Sequence, residues 1–140
     1  MCIRDRLYSG VALANSGLGF AHGVAAALGI HGNVAHGLAC AIMLPMAIEL
    51  NREVAGERIA ELAEPLGLSG SGTIQQSVDR ILSAIRDTSR RLGIPTTLHE
   101  VGISPEQIPE LVASSRGNSM RGNPRIVDDS ELEQVLIAML

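Results

Sequence analysis

From Leu7 to Ile48 the chain carries no Asp, Glu, Lys or Arg, whereas from Glu49 onward charged residues recur every few positions. An uncharged run of this length suits few environments: a bilayer, a cleaved leader, or the interior of a folded domain. A spanning helix needs about 20 residues that are apolar almost throughout. Asn15, Ser16, three histidines and Pro45 interrupt the run, and no window of that length is apolar throughout. A secretory leader fits no better, because the basic lead of Arg4 and Arg6 is followed by a stretch that is too long, rich in glycine and punctuated by histidine. Central helices of a bundle, surrounded on all sides by the rest of one domain, explain the missing charges directly. With 140 residues, 46% hydrophobic and 19% charged, the chain is long enough for one core and too short for two ordinary domains. One Tyr, one Phe and no Trp leave Ala, Leu, Ile, Val and Met to build that core, which favours packed helices.

Periodicity and punctuation predict an all-α fold. Residues 9–28 read as one long buried helix or two short ones meeting near Gly17 and Gly19; Gly29 and Gly32 then stop it. A second buried helix spans 37–51, with Pro45 as a kink, and an amphipathic one spans 53–66, with Val54, Ile59, Leu62 and Ala63 inward. After a loop at 68–72, Thr73 caps a helix in which Ile74, Val78, Ile81, Leu82, Ile85 and Leu92 follow helical spacing up to Gly93. Ser104 and Pro105 open a short helix through Ser115, and Asp128 opens the last, to Leu140. No run alternates β-branched with polar residues, so no sheet is predicted.

The net charge is -4 and every basic residue is an arginine, with no stripe of them on one face. Phosphate-rich surfaces are therefore poor partners, and no nucleic acid is expected. Cys2 and Cys40 are too few and too far apart for a disulfide framework or a zinc ribbon, and are read as reduced thiols of a cytoplasmic protein.

Two histidines carry the chemistry. His22 lies inside the first uncharged helix and His36 where the second begins. An imidazole among apolar residues must be satisfied. Each ring either donates to a backbone carbonyl and fills space, or the two converge on one metal ion across a short connection. His31 reads as a loop residue exposed to solvent or to a cleft, and His99 as a surface residue without a role. A metal centre normally adds a third or fourth ligand, commonly a carboxylate, and the uncharged run holds none. Either His31 and a distant acid complete the set, or the remaining ligands lie on polypeptide outside this chain.

The stretch Ala12-Leu-Ala-Asn-Ser-Gly-Leu-Gly-Phe-Ala-His22-Gly is followed by Ala35-His36-Gly-Leu-Ala-Cys-Ala-Ile-Met-Leu-Pro45 and then Glu49-Leu-Asn51. It resembles the signature of the iron-containing alcohol dehydrogenase family. The resemblance combines Gly-Leu-Gly-x-x-His, a gap of fourteen positions to a His-Gly pair, and Leu-Pro followed by five residues and Asn. Asn123-Pro124-Arg125 before an acidic-capped terminal helix resembles the family's close. It covers residues 9–140.

The resemblance implies a helical bundle equivalent to the C-terminal domain of the dehydroquinate synthase-like, iron-containing alcohol dehydrogenase fold. It also implies that His22 and His36 are two of four ligands to a divalent metal, Fe²⁺ or Zn²⁺. The family's other two ligands, an Asp and a His, lie upstream of the first signature helix, as does the nucleotide-binding domain for NAD or NADP. Small alcohols, aldehydes or ketones are the implied substrates, and the full-length enzyme is expected to be a homo-oligomer. Many members carry a further histidine one turn beyond the first ligand; here that position is Ala26. Residues 1–8 fit neither the family nor the charge pattern and are read as a non-native lead on a piece of a longer protein. Two alternatives stay open: a metal-independent reductase of the same fold, resembling maleylacetate reductase, and a helical interaction module whose histidines only pack.

Overall fold

Local sequence signals set the ends of the charged helices. In the computed structural model, which describes residues 3–140, Thr73 Oγ1 accepts from the Gln76 amide at 3.2 Å while Gln76 Oε1 accepts from the Thr73 amide at 2.9 Å. This reciprocal box satisfies two of the amides that a helix start leaves orphaned. Asp128 caps the last helix by accepting from the Glu131 amide at 2.8 Å. Six α-helices result among the described residues, and no strand: α1 Ile3–Ser16, α2 Phe20–His31, α3 His36–Ala60, α4 Ile74–Arg91, α5 Ile108–Ser114 and α6 Asp129–Ala138. The all-α class is as expected.

α2 is the centre of the bundle. α3 packs along it, α5 crosses it, and the 3-10 turn Met120–Gly122 closes another side. Val24, Ala25, Ala27 and Leu28 of α2 are fully buried and share one hydrophobic core with Ile42 and Met43 of α3, Ile108 and Leu111 of α5, and Leu132 and Leu136 of α6. Burial on several sides explains why the core-facing side of α2 carries no charge, since an unpaired charge there would face no solvent. Among the described residues, no single helix is long and apolar enough to cross a membrane.

Four expectations need correction. The 9–28 segment is the two-helix alternative, broken at residues 17–19 with a bend of 96°, but α1 is not buried: all of its described residues are exposed, Ile3, Leu7, Tyr8 and Val11 included. The absence of charge therefore reflects core burial in this chain only from Phe20 onward. α1 runs unbroken through Ser9. The predicted helices at 37–51 and 53–66 are a single α3 that carries through Pro45 to Ala60 before the 3-10 turn Glu61–Ala63. Past Asn51 the last turns of α3 pack on α4, with Gly56 against Ile74, while Val54 and, in the 3-10 turn, Leu62 are exposed. In α4 the buried stripe is Val78, Ile81 and Leu82, and Leu92 beyond its end is 71% exposed. Met1 and Cys2, and with Cys2 its expected reduced state, lie outside the described residues.

Candidate metal centre

The start of α2 has no side-chain cap of its own, because Gly19 stands at the capping position. The cap comes from the far end of the sequence. Asn123 Oδ1 accepts from the Phe20 amide at 3.1 Å, and the Asn123 amide group pairs reciprocally with that of Asn51 on α3, each donating to the other at 2.9 Å. Asn51, only 6% exposed, also donates to the Ala47 carbonyl, and Asn123 to the Arg125 carbonyl. Every strong donor and acceptor of two half-buried amides is thereby used, which their burial demands. The glycines at 17, 19 and 122 make this contact possible. A Cβ on Gly19 would press on Asn123, and one on Gly122 would overlap the Leu18 carbonyl oxygen.

Arg125 continues the clamp. Its Nε donates to the Leu50 carbonyl at 2.8 Å, and its other nitrogens grip both carboxylate oxygens of Glu131 on α6. Hydrogen bonding from Arg125 holds the Glu131 carboxyl below the usual carboxylate range. A group depressed in the folded state contributes stability that is fully present above its unfolded pKa, about 4.3, and lost as pH falls through the folded value. Glu131→Gln is therefore expected to lose less stability than the unaltered chain between about pH 7 and about pH 3. The difference should be no more than about 1 kcal/mol, because both partners remain solvent-accessible. Denaturant midpoints across that range check it, and parallel losses in both proteins would refute the assignment.

With the start of α2 pinned, the connector decides where His36 goes. His22 precedes the end of α2 by nine residues, which is about 14 Å of helix. The five steps from His31 to His36 can span up to about 17 Å when extended. The connector doubles back along α2: the amides of Gly32 and Val34 both donate to the Leu28 carbonyl, at 2.9 and 3.3 Å, and Asn33 turns the chain in a left-handed conformation, φ +51°. Asn tolerates that region better than most residues. A spacing of fourteen positions thus returns the chain to the level of His22, where α3 begins.

The two imidazoles face one another there, ring centroids 5.4 Å apart and planes tilted by 57°. One turn further along α3, Cys40 Sγ lies 3.5 Å from His36 Nε2. One donor atom from each of His22, His36 and Cys40 lies within 4.8 Å of the other two. Neither histidine ring bonds to a backbone carbonyl among the described residues. His22 and Cys40 are half-buried and His36 is exposed, so the cluster is open on one side. Burial, and then the neighbouring His36, push the His22 pKa down, which favours the neutral imidazole that a metal requires. Burial pushes the Cys40 thiol up.

His31 is not in the cluster and is not a loop residue. It ends α2, its Nε2 lies 2.7 Å from Ser114 Oγ, its Nδ1 lies 3.4 Å from Glu110 Oε2, and its carbonyl accepts from Gln107. It ties α2 to α5 because the last turn of α2 lands on that helix. His99 is exposed in the 3-10 turn His99–Val101, and Ala26 is exposed on α2. Cys40 was missed as a donor. Its signal was present in the sequence, since His-x-x-x-Cys at a helix start sets both side chains on one face.

The profile of the Fe-containing alcohol dehydrogenase family, C-terminal, matches residues 3–140. The chain belongs to this family. Lactaldehyde reductase of Escherichia coli (strain K12) is 32% identical over 130 residues, covering 91% of this chain and 33% of the relative. The NADPH-dependent butanol dehydrogenase of Clostridium saccharobutylicum is 33% identical over 132 residues, covering 91% and 34%. The chain thus spans about a third of the length of the curated relatives it matches. Among solved structures, a 1,3-propanediol oxidoreductase superposes with a TM-score of 0.89 at 26% identity, over 96% of this chain and 36% of that one. An alcohol dehydrogenase from Oenococcus oeni gives 0.85 at 28% identity, over 94% and 35%.

Proposed function

We propose that this chain is the metal-holding helical part of an NAD(P)-dependent alcohol dehydrogenase of the cytoplasm, which interconverts a small alcohol and its aldehyde or ketone, and that His22 and His36 hold a divalent ion, Fe²⁺ or Zn²⁺. The observation that carries this reading is the convergence of the two imidazoles from separate helices, with nothing local in a fourteen-residue spacing to force it. The donor set fits such an ion: two imidazole nitrogens within reach of each other, unclaimed by backbone carbonyls, with an open side for substrate. A bound divalent ion supplies Lewis acidity, which favours the alkoxide form of an alcohol near neutral pH.

The chain's own residues do the positioning. Asn123 sets where α2 begins and hence the height of His22, and the connector at 32–35 sets the height of His36. Ala26 carries no titratable group, so this position relays no proton. The relatives' names point to short alcohols and aldehydes as the substrate class, and the nicotinamide that would accept the hydride would be held mainly by a nucleotide-binding domain outside this chain.

Metal titration of the purified chain tests the reading. One Zn²⁺ or Fe²⁺ per chain is expected by calorimetry and elemental analysis, and His22→Ala or His36→Ala should weaken it by on the order of 100-fold, given that losing even an outer-shell partner costs roughly 10–100-fold. Binding that neither substitution changes would place the ion elsewhere.

A further inference from the structure

We propose that Ser114, His31 and Glu110 act as nucleophile, base and orienting acid, and that they hydrolyse small activated carboxylic esters through an acyl group carried on Ser114. None of the three belongs to the histidine pair at the start of α2: His31 ends that helix, nine residues beyond His22.

The contacts of one ring carry the argument. His31 lies against the turn Pro105–Gln107 and α5, which follow one another without a break. Gln107 Nε2 donates to the His31 carbonyl at 3.1 Å, Glu110 Oε2 lies 3.4 Å from Nδ1, and Ser114 Oγ lies 2.7 Å from Nε2. Those three residues follow at steps of three and four, which share a helix face, so the histidine is held at its backbone and at both ring nitrogens. A hydroxyl within about 2.6–3.2 Å of a base that a third group orients is the arrangement that activates a serine. The carboxylate beside Nδ1 favours the tautomer with its proton there, which leaves Nε2 to accept from the Ser114 hydroxyl. It also stabilises the positive charge that the ring gains on taking that proton.

The reaction needs no oxidant, reductant or metal. The Ser114 hydroxyl proton passes to His31 Nε2 as Oγ bonds to the ester carbonyl carbon, and the carbonyl electron pair moves onto its oxygen. That pair returns as the bond to the departing alcohol breaks, and the alcohol takes the proton from His31. Water then repeats the sequence, releasing the carboxylic acid and restoring the serine. The amides of Arg116 and Asn118, in the turn after Ser114, donate to no backbone carbonyl among the described residues and are free to stabilise the oxyanion. Ser114 and His31 are half-buried while Glu110 is 69% exposed, so the site opens on solvent and suits short acyl groups.

Acyl capture by the purified chain tests the proposal with p-nitrophenyl acetate. The chain contains no lysine, which removes the usual side-chain amine background. A burst of p-nitrophenolate followed by steady release is expected, with an acetyl group on the peptide that carries Ser114 in acid-quenched samples read by mass spectrometry. Ser114→Ala should abolish the burst and that adduct. His31→Gln should slow acylation by about 100-fold or more, the usual contribution of a general base. Glu110→Gln, at an exposed position, should slow it as well. Unchanged helical circular dichroism in the His31 and Glu110 variants separates lost chemistry from lost folding. Acetyl groups elsewhere and none on Ser114, equal rates in the unaltered chain and the folded His31→Gln variant, or no release above the buffer rate would each overturn the proposal.

Discussion

Gly122→Ala is expected to be the most damaging conservative substitution in the chain, costing about 3–5 kcal/mol or preventing folding. Its Cβ would overlap the Leu18 carbonyl oxygen, which is backbone and cannot swing aside as a side chain would. Overpacking costs roughly 1–3 kcal/mol, and more where the neighbour is immobile. Relief requires the 120–123 segment to back away from residues 17–19, which pulls Asn123 off the Phe20 amide and off Asn51. Each buried polar group so orphaned costs about 1–3 kcal/mol. Against a typical total of about 5–15 kcal/mol the loss is decisive. Gly37→Ala is the control, since nothing lies within 4 Å of its Cβ position and it is helical. Denaturant midpoints decide the matter: Gly122→Ala melting like Gly37→Ala would mean that the clamp does not bear on stability. The metal should report the same event, because His22 is two residues from the capped amide; Zn²⁺ affinity is expected to fall with Gly122→Ala even where the variant remains helical.

The second large effect is on turnover. The 140-residue chain alone is expected to show no NAD(P)-linked oxidation of simple alcohols above the level of a His22→Ala, His36→Ala double variant. Hydride transfer needs donor and acceptor carbons held about 3–3.5 Å apart, and the described residues offer no strand followed by a glycine-rich phosphate turn to hold a dinucleotide. Among them, three donor atoms converge at the site, and no carboxylate joins them. Nicotinamide fluorescence or absorbance with a range of short alcohols and added Zn²⁺ or Fe²⁺ provides the assay. Turnover that the double variant lacks would show that this bundle holds both cofactor and substrate unaided, contrary to the division of labour proposed here.

Several parts of this structure are legible before any coordinates. Thr73 with Gln76 and Asp128 ahead of α6 announce helix starts, because capping is satisfied within four residues of sequence. The uncharged run announces a central helix, and His22 and His36 stand out as polar groups inside it. Other parts are misread for physical reasons. The 37–51 and 53–66 stretches read as two helices where there is one, because the change from an uncharged to an amphipathic pattern marks a change of neighbour, from α2 to α4, and not a break in the backbone. The exposed α1 looks like core, because hydropathy reports what a segment avoids and not what it touches. Val54, Leu62 and Leu92 fit a helical stripe and yet face outward, because periodicity names a face without saying whether a neighbour covers it.

By itself, the sequence determined the helical class, the central place of α2, the two histidines and the family to which the chain belongs. Tertiary structure alone decided how far apart the histidines stand. α2 takes its cap from Asn123, more than a hundred residues away, and α3 takes its starting level from a connector that doubles back to the Leu28 carbonyl. It likewise decided that Cys40, and not His31, stands with them: His31 sits at the far end of α2, where Ser114 and Glu110 of α5 hold it, while Cys40 rides one turn into α3 beside His36. Local rules act over about four residues, the reach of a helical turn. The level at which two helices meet is set by hydrogen bonds and close backbone contacts between segments distant in sequence, and those exist only once the chain has folded.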